Sequence, residues 1–93
     1  MKIRVSCDDK YEAQKLASLI FIKDSKETYI DNILNVIENE LVVSLKDKSA
    51  HSIVLENKEN VENLADFMQS VIEKEHKIIA TETFSHEVEI TKN

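Results

Sequence analysis

The chain has 93 residues, 42% of them apolar and 32% charged, and a formal net charge of −6. That length fits one domain spanning 1–93, large enough to bury a core without metals or disulfides, and periodic apolar residues exclude disorder. Gly and Pro are both absent, where average usage would place about eleven, so phosphate loops built on glycine are excluded.

Without glycine, turns that need positive φ are expected to use Asn or Asp. Strong use of Lys, Asn, Ile and Glu is the mark of an AT-biased genome. Charge is uneven: residues 1–26 carry six basic and four acidic side chains, and residues 27–93 carry six and fourteen. The acidic majority opposes non-specific nucleic-acid binding, which depends on phosphate neutralisation. No linker, internal repeat or low-complexity tract stands out.

The first element alternates, with Ile3, Val5 and Cys7 on one face and Lys2, Arg4 and Ser6 on the other. A period of two predicts a half-buried strand. Asp9 and Glu12 have the spacing of a capping box. Ala13, Leu16, Ala17 and Ile20 then form one helical stripe, so a helix is expected from Asp9 to about Ile22. Residues 24–27 are a polar break.

Residues 28–38 read two ways. Ile30, Ile33, Leu34, Ile37 and Leu41 match a helix. The run 35–43 also reads as a hairpin turning at Glu38 and Asn39. The helix matches more positions, and strict alternation fails through Ile33 and Leu34, so a helix is expected.

Leu41–Leu45 and His51–Glu56 read as a hairpin across Asp47, Lys48 and Ser49. Asn57 is a plausible N-cap for a helix over 58–76, whose stripe is Val61, Leu64, Ala65, Met68 and Ile72. Alternation of Phe84, His86, Val88 and Ile90 predicts a last strand over 84–91, with a partner near 77–81. Glu87 and Glu89 suit a solvated edge. The expected fold is α+β, a mainly antiparallel sheet with two or three helices on one face, in the order β-α-(α)-β-β-α-β.

The chemistry-bearing residues do not form a recognisable reactive motif. Cys7 is the sole cysteine, which points to a reducing compartment. It precedes a helix N-terminus, but a nucleophile needs a nearby base, and its place beside Ile3 and Val5 predicts a buried thiol. His51, His76 and His86 lack metal-ligand spacing, so no metal or cofactor is expected. Asp8 and Asp9 read as a helix start. Glu73 and Glu75, mixed with Lys74 and Lys77, read as a solvated face.

Two surfaces remain. Lys2, Arg4, Lys10 and Lys15 form a candidate nucleic-acid patch, though without the exposed aromatics that sheet-based binders stack on bases. Leu19, Phe21, Ile22, Tyr29 and Ile33 form a candidate protein interface, because consecutive apolar residues at 19–22 overflow one helical face. The bland alternative is that segments 19–22 and 28–37 cover each other.

The strand and helix over Lys2–Ile20, followed by Val36-Ile37-Glu38-Asn39-Glu40-Leu41-Val42-Val43, are loosely similar to the small dimeric subunit of the KEOPS complex. That resemblance covers about half the chain and implies a β-α-β-β-α order and a dimer. It transfers no site residues.

The expected function is therefore a non-enzymatic protein-binding regulator or inhibitor acting by surface occupation, with a homodimer possible. Its composition would suit a phage or mobile-element protein. The alternative is an RNA- or DNA-associated accessory protein using the basic patch. No apolar run reaches the roughly 18 residues of a membrane span, and no signal-peptide core is present, so a cytoplasmic protein is expected.

Overall fold

A computed structural model describes residues 1–20, 27–74, 77–82 and 86–92. Alternation at the start of the chain produces β1 (Lys2–Ser6), which buries Val5 and exposes Lys2 and Arg4. Helix α1 (Lys10–Ile20) starts where an Asp9 carboxylate oxygen accepts the Glu12 amide at 2.9 Å, and it buries Ala13, Leu16 and Ile20. The capping box is only half formed. The Glu12 carboxylate instead accepts the Val54 amide at 3.4 Å.

Residues 30–37 form a strand, not the expected helix. β2 (Ile30–Ile37) pairs antiparallel with β3 (Glu40–Leu45), and the hairpin turns at Glu38 and Asn39. The register explains the misreading. Shifts between Ile30 and Asn32 and between Ile33 and Asn35 leave Asp31 and Leu34 as extra residues. Each bulge interrupts the alternation, and the displaced apolar residues fall by accident at helical spacing. A third helix in this segment is thereby excluded.

The next turn holds through the Asp47 carboxylate, which accepts the Ser49 amide at 2.9 Å and its hydroxyl at 2.5 Å. It leads into β4 (Ala50–Val54), paired antiparallel with β3. Among the described residues, positive φ does not fall on Asn or Asp as expected. It falls on Glu38 (52°) and Lys48 (74°). α2 (Lys58–Lys74) begins where Asn57 accepts the Asn60 amide at 2.9 Å. β5 (Ile78–Glu82) and β6 (Glu87–Lys92) close the chain. Glu87 and Glu89 lie on the central strand of their sheet, not on an edge.

The fold is α+β, with two antiparallel three-stranded sheets, ordered β1-β6-β5 and β2-β3-β4, and two helices. The element order β-α-β-β-β-α-β-β puts the strand β2 where a helix is expected, includes the partner strand near 77–81, and departs from the order implied by the KEOPS resemblance. An isolated bridge between Cys7 and Leu55 joins the sheets. α1 packs on β5, β6 and β4, and α2 packs on β2, β3 and β1. The core between them includes Leu16, Ile20, Leu41, Ile53, Leu64, Met68 and Ile90.

An internal repeat, invisible in the sequence, organises this arrangement. The described elements run βαββ and then βαββ, and the pairings of the two halves correspond across the Cys7–Leu55 bridge. Asp8 donates its amide to Val54 while Glu56 donates to Ser6. Cys7 donates to His86 while Leu55 donates to Asn39. The caps Asp9 and Asn57 correspond, as do the buried helix positions Ala13 and Val61, Leu16 and Leu64, Ile20 and Met68. In the last strands of each half, Leu41 matches Val88 and Val43 matches Ile90. The halves interlock: β1 joins the hairpin of the second half, and β4 joins that of the first.

Candidate functional site

The basic candidates are placed apart and mostly engaged. Lys2 and Arg4 project from β1 beside Glu89 and Glu87 of β6. Lys2 lies 3.5 Å from Glu89, and Arg4 lies 3.2 Å from Glu89 and 3.7 Å from Glu87. Arg4 and Lys2 hold the Glu89 carboxyl below its ordinary value, the Arg4 hydrogen bond having the largest effect. Lys15 donates to the Ser52 carbonyl at 2.6 Å, on the side of β4 away from β3. With Glu12 on Val54, helix α1 thus occupies that strand's free edge. Asn60 does the same for β1, donating to the Ser6 carbonyl at 3.3 Å. Lys10 is exposed at the first turn of α1. The sequence could not reveal that the paired carboxylates lie some 85 residues away, across a strand junction.

The apolar candidates are also dispersed. Leu19 and Ile33 are half-buried and pack against the core. The Leu19 carbonyl accepts the Tyr29 amide at 3.0 Å and the Thr28 hydroxyl at 3.3 Å, tying the end of α1 to the start of β2. Tyr29 is 46% exposed. Phe21 and Ile22 lie outside the described residues. The apolar side chains that do reach solvent on β2 are Leu34 (52%), Val36 (37%) and Ile37 (51%). Of these, Leu34 and Ile37 belong to the expected helix stripe and Val36 does not. The signal that could have found them was the failed alternation itself, which marks the bulge at Leu34.

This hairpin end is unusual in charge as well. From Asn32 to Ile37 the strand carries no ionisable side chain. The amides of Ile33 and Val36 donate to the carboxamides of Asn32 and Asn35, both at 2.9 Å. Those amides are therefore not offered to an added strand.

Two open grooves flank the helices. One, of about 510 Å³, is lined by Thr28, Ile30, Val71 and Ile72 with Glu27 between Lys46 and Lys77, each 3.8 Å from its carboxylate. The other, of about 580 Å³, contains Lys92, which donates to Ser70 at 2.8 Å and lies 5.0 Å from the Phe67 ring centre.

Cys7, His51 and His86 are engaged structurally. Cys7 is fully buried, and burial, helped by Glu12 and Asp9, pushes its thiol up to about 12. A thiol so placed is protonated at neutral pH and is a poor nucleophile. His51 contacts the Ser49 hydroxyl at 3.3 Å, and His86 lies 3.7 Å from Glu56. His76 lies outside the described residues. Among the described residues, no group of three His, Cys, Asp or Glu side chains is arranged to hold a metal, and no helix is long and apolar enough to cross a membrane. No family model, curated protein or solved structure matches the chain.

Proposed function

We propose that this protein is a non-enzymatic protein-binding regulator that acts by occupying a surface on another protein, using the end of the β2–β3 hairpin. The observation that carries this reading is the exposure of Leu34, Val36 and Ile37 along a stretch of β2 that is free of charge over 32–37. In a chain where 32% of residues are charged, three exposed apolar side chains within six residues that include no ionisable one are the kind of feature a partner surface selects. Pairing of Lys2 and Arg4 with Glu89 and Glu87 weakens the nucleic-acid alternative, because phosphate contact would first have to displace those carboxylates.

The test is affinity capture from source-cell lysate, with nuclease treatment, using wild type, Leu34→Glu and the charge-reversed Lys10→Glu. A protein retained after nuclease by wild type and Lys10→Glu, and lost with Leu34→Glu, supports the proposal. Capture that disappears with nuclease, or that ignores Leu34→Glu, refutes it.

A further inference from the structure

Each half of the chain finds its core in the other. The first half is β1-α1-β2-β3 and the second is β4-α2-β5-β6. The main contacts of α1 are with β4, β5 and β6, all of the second half. Those of α2 are with β1, β2 and β3, all of the first. The sheets follow the same rule, since β1 pairs with β6 and β4 pairs with β3. Backbone bonds at the centre cross over as well: Cys7 to His86, Asp8 to Val54, Glu56 to Ser6 and Leu55 to Asn39. Among the described residues, what each half keeps to itself is chiefly its helix and its hairpin.

The halves are joined covalently by the turn at 46–49, where Lys46, Asp47 and Lys48 are exposed. Closing that turn sets Lys48 at a φ of 74°, which is unfavourable for a residue with a side chain. Opening it releases the Lys48 amide, bonded to the Leu45 carbonyl at 2.9 Å, to water, at small net cost. It also frees Lys48 from the left-handed region. Short hinges under strain are where chains exchange segments.

We propose that two copies of this chain exchange halves through the 46–49 turn, giving a closed dimer at high concentration. The contacts themselves fix the occupant. The surface presented by β1-α1-β2-β3 is the one that β4-α2-β5-β6 covers, and a second copy brings that same segment. Exchange keeps every pairing between the halves, so monomer and dimer differ only at the turn. A short link holds the halves of one chain at an effective concentration on the order of millimolar, so exchange competes near that range. Relief at Lys48 in both chains adds to it. The halves bury each other's core and must part before they exchange, so dimers form on refolding and interconvert slowly. Each lobe carries one β2–β3 hairpin end, and the dimer presents two.

This goes beyond the hairpin-end reading and is tested on purified protein with the hairpin end unchanged, so either can fail without the other. Lys2 and Thr91 are opposed across β1 and β6, one from each half. Met1 and Lys92 beside them exchange both backbone bonds, so Lys2 and Thr91 form the pair whose side chains lie closer. Lys2→Cys combined with Thr91→Cys then reports which chain supplies β6 to β1. The disulfide is intrachain in the monomer and in any ordinary surface dimer, and interchain only after exchange. The protein is unfolded in urea with reductant and refolded at about 10 μM or about 1 mM, either side of the effective concentration. It is then oxidised, with Cys7 buried, and run on a denaturing gel without reductant. Intrachain disulfides are expected at the lower concentration and a covalent dimer at the higher. Lys48→Pro, whose ring forbids positive φ, should give the dimer already at about 10 μM. Lys48→Gly should lower the dimerisation constant at least about fivefold. Circular dichroism checks that each variant is folded; if Lys48→Pro is not, the original turn and Lys48→Gly decide. The proposal is overturned by intrachain disulfides alone at about 1 mM with the original turn, or by a ladder of longer covalent species. A folded Lys48→Pro chain that stays intrachain, or a Lys48→Gly chain that exchanges as readily as the original, also overturns it.

Discussion

A chain without glycine must place ordinary residues where the backbone turns left-handed, and among the described residues they are Glu38 and Lys48. The left-handed region costs an L-residue roughly 1–2 kcal/mol. Lys48→Gly should therefore raise stability by about 1 kcal/mol after the entropy glycine gains on unfolding. In a domain of this size that is a gain of roughly 4–8 °C in Tm; an unchanged or lower melting temperature would show that the turn is not strained. Cys7 supplies a second residue-level test. Its thiol is raised from 9.0 to about 12 by burial, with Glu12 and Asp9 adding to it. A raised folded value means that the stabilisation is present below pH 9.0 and is lost as pH rises towards 12. The alkaline limb of stability should be shallower in Cys7→Ala than in wild type. Native Cys7 should also react with a thiol reagent only as fast as the fold opens.

At the scale of elements, the two helices begin with matched caps, Asp9 on the Glu12 amide and Asn57 on the Asn60 amide, both at 2.9 Å. Asp9→Ala and Asn57→Ala should each cost about 1 kcal/mol in urea unfolding. The similarity of the two losses is the informative part, since the caps are pseudo-symmetric. The strand ladder makes a different prediction. Arg4 holds Glu89 below its ordinary value of 4.5, so its contribution is present above pH 4.5 and fades as pH falls through the lowered folded value. Arg4→Met should flatten the acid limb below pH 4.5 with a matching loss of stability at neutral pH, both small because exposed ion pairs contribute little. Both helices, β1, the β3–β4 hairpin and the tail strands were legible because their apolar periods are clean. β2 was not. Its two bulges shift Ile33 and Leu34 out of alternation, so the local period favoured a helix while pairing with β3 imposed a strand. The candidate sites were less legible still. Which apolar residues reach solvent depends on which face β3 covers, and the ion pairing of Lys2 and Arg4 depends on a strand at the far end of the chain.

At the scale of the molecule, the repeat escaped notice because it is conserved in burial rather than in residue identity. Over 1–20, only Lys10 with Lys58, Leu16 with Leu64 and Ala17 with Ala65 are identical across the offset defined by Cys7 and Leu55. Hydrophobic cores accept such swaps when volume and pattern are kept. The repeat has a topological consequence. Within the first half's sheet, β3 passes to β4 through the 46–49 turn. At the corresponding place in the other sheet, β6 lies beside β1, where the Met1 amine donates to the Lys92 carbonyl at 3.1 Å and the Lys92 amide donates to Met1 at 2.9 Å. The two junctions are equivalent, and only one of them is covalently closed. Linking the ends of this chain through a short turn and opening it between Lys48 and Ser49 should then give a permutant in the order β4-α2-β5-β6-β1-α1-β2-β3 with the same pairings. Chain ends that are exposed and adjacent tolerate such rearrangement. The permutant should fold cooperatively, with stability within about 1–2 kcal/mol of wild type, since it exchanges one short closed loop for another. Amide exchange should still protect Val5 and Val88 as partners across β1 and β6. A permutant that is expanded, or that loses protection in β1 and β6 alone, would show that the two halves are not interchangeable and that the 46–49 turn carries information its counterpart lacks.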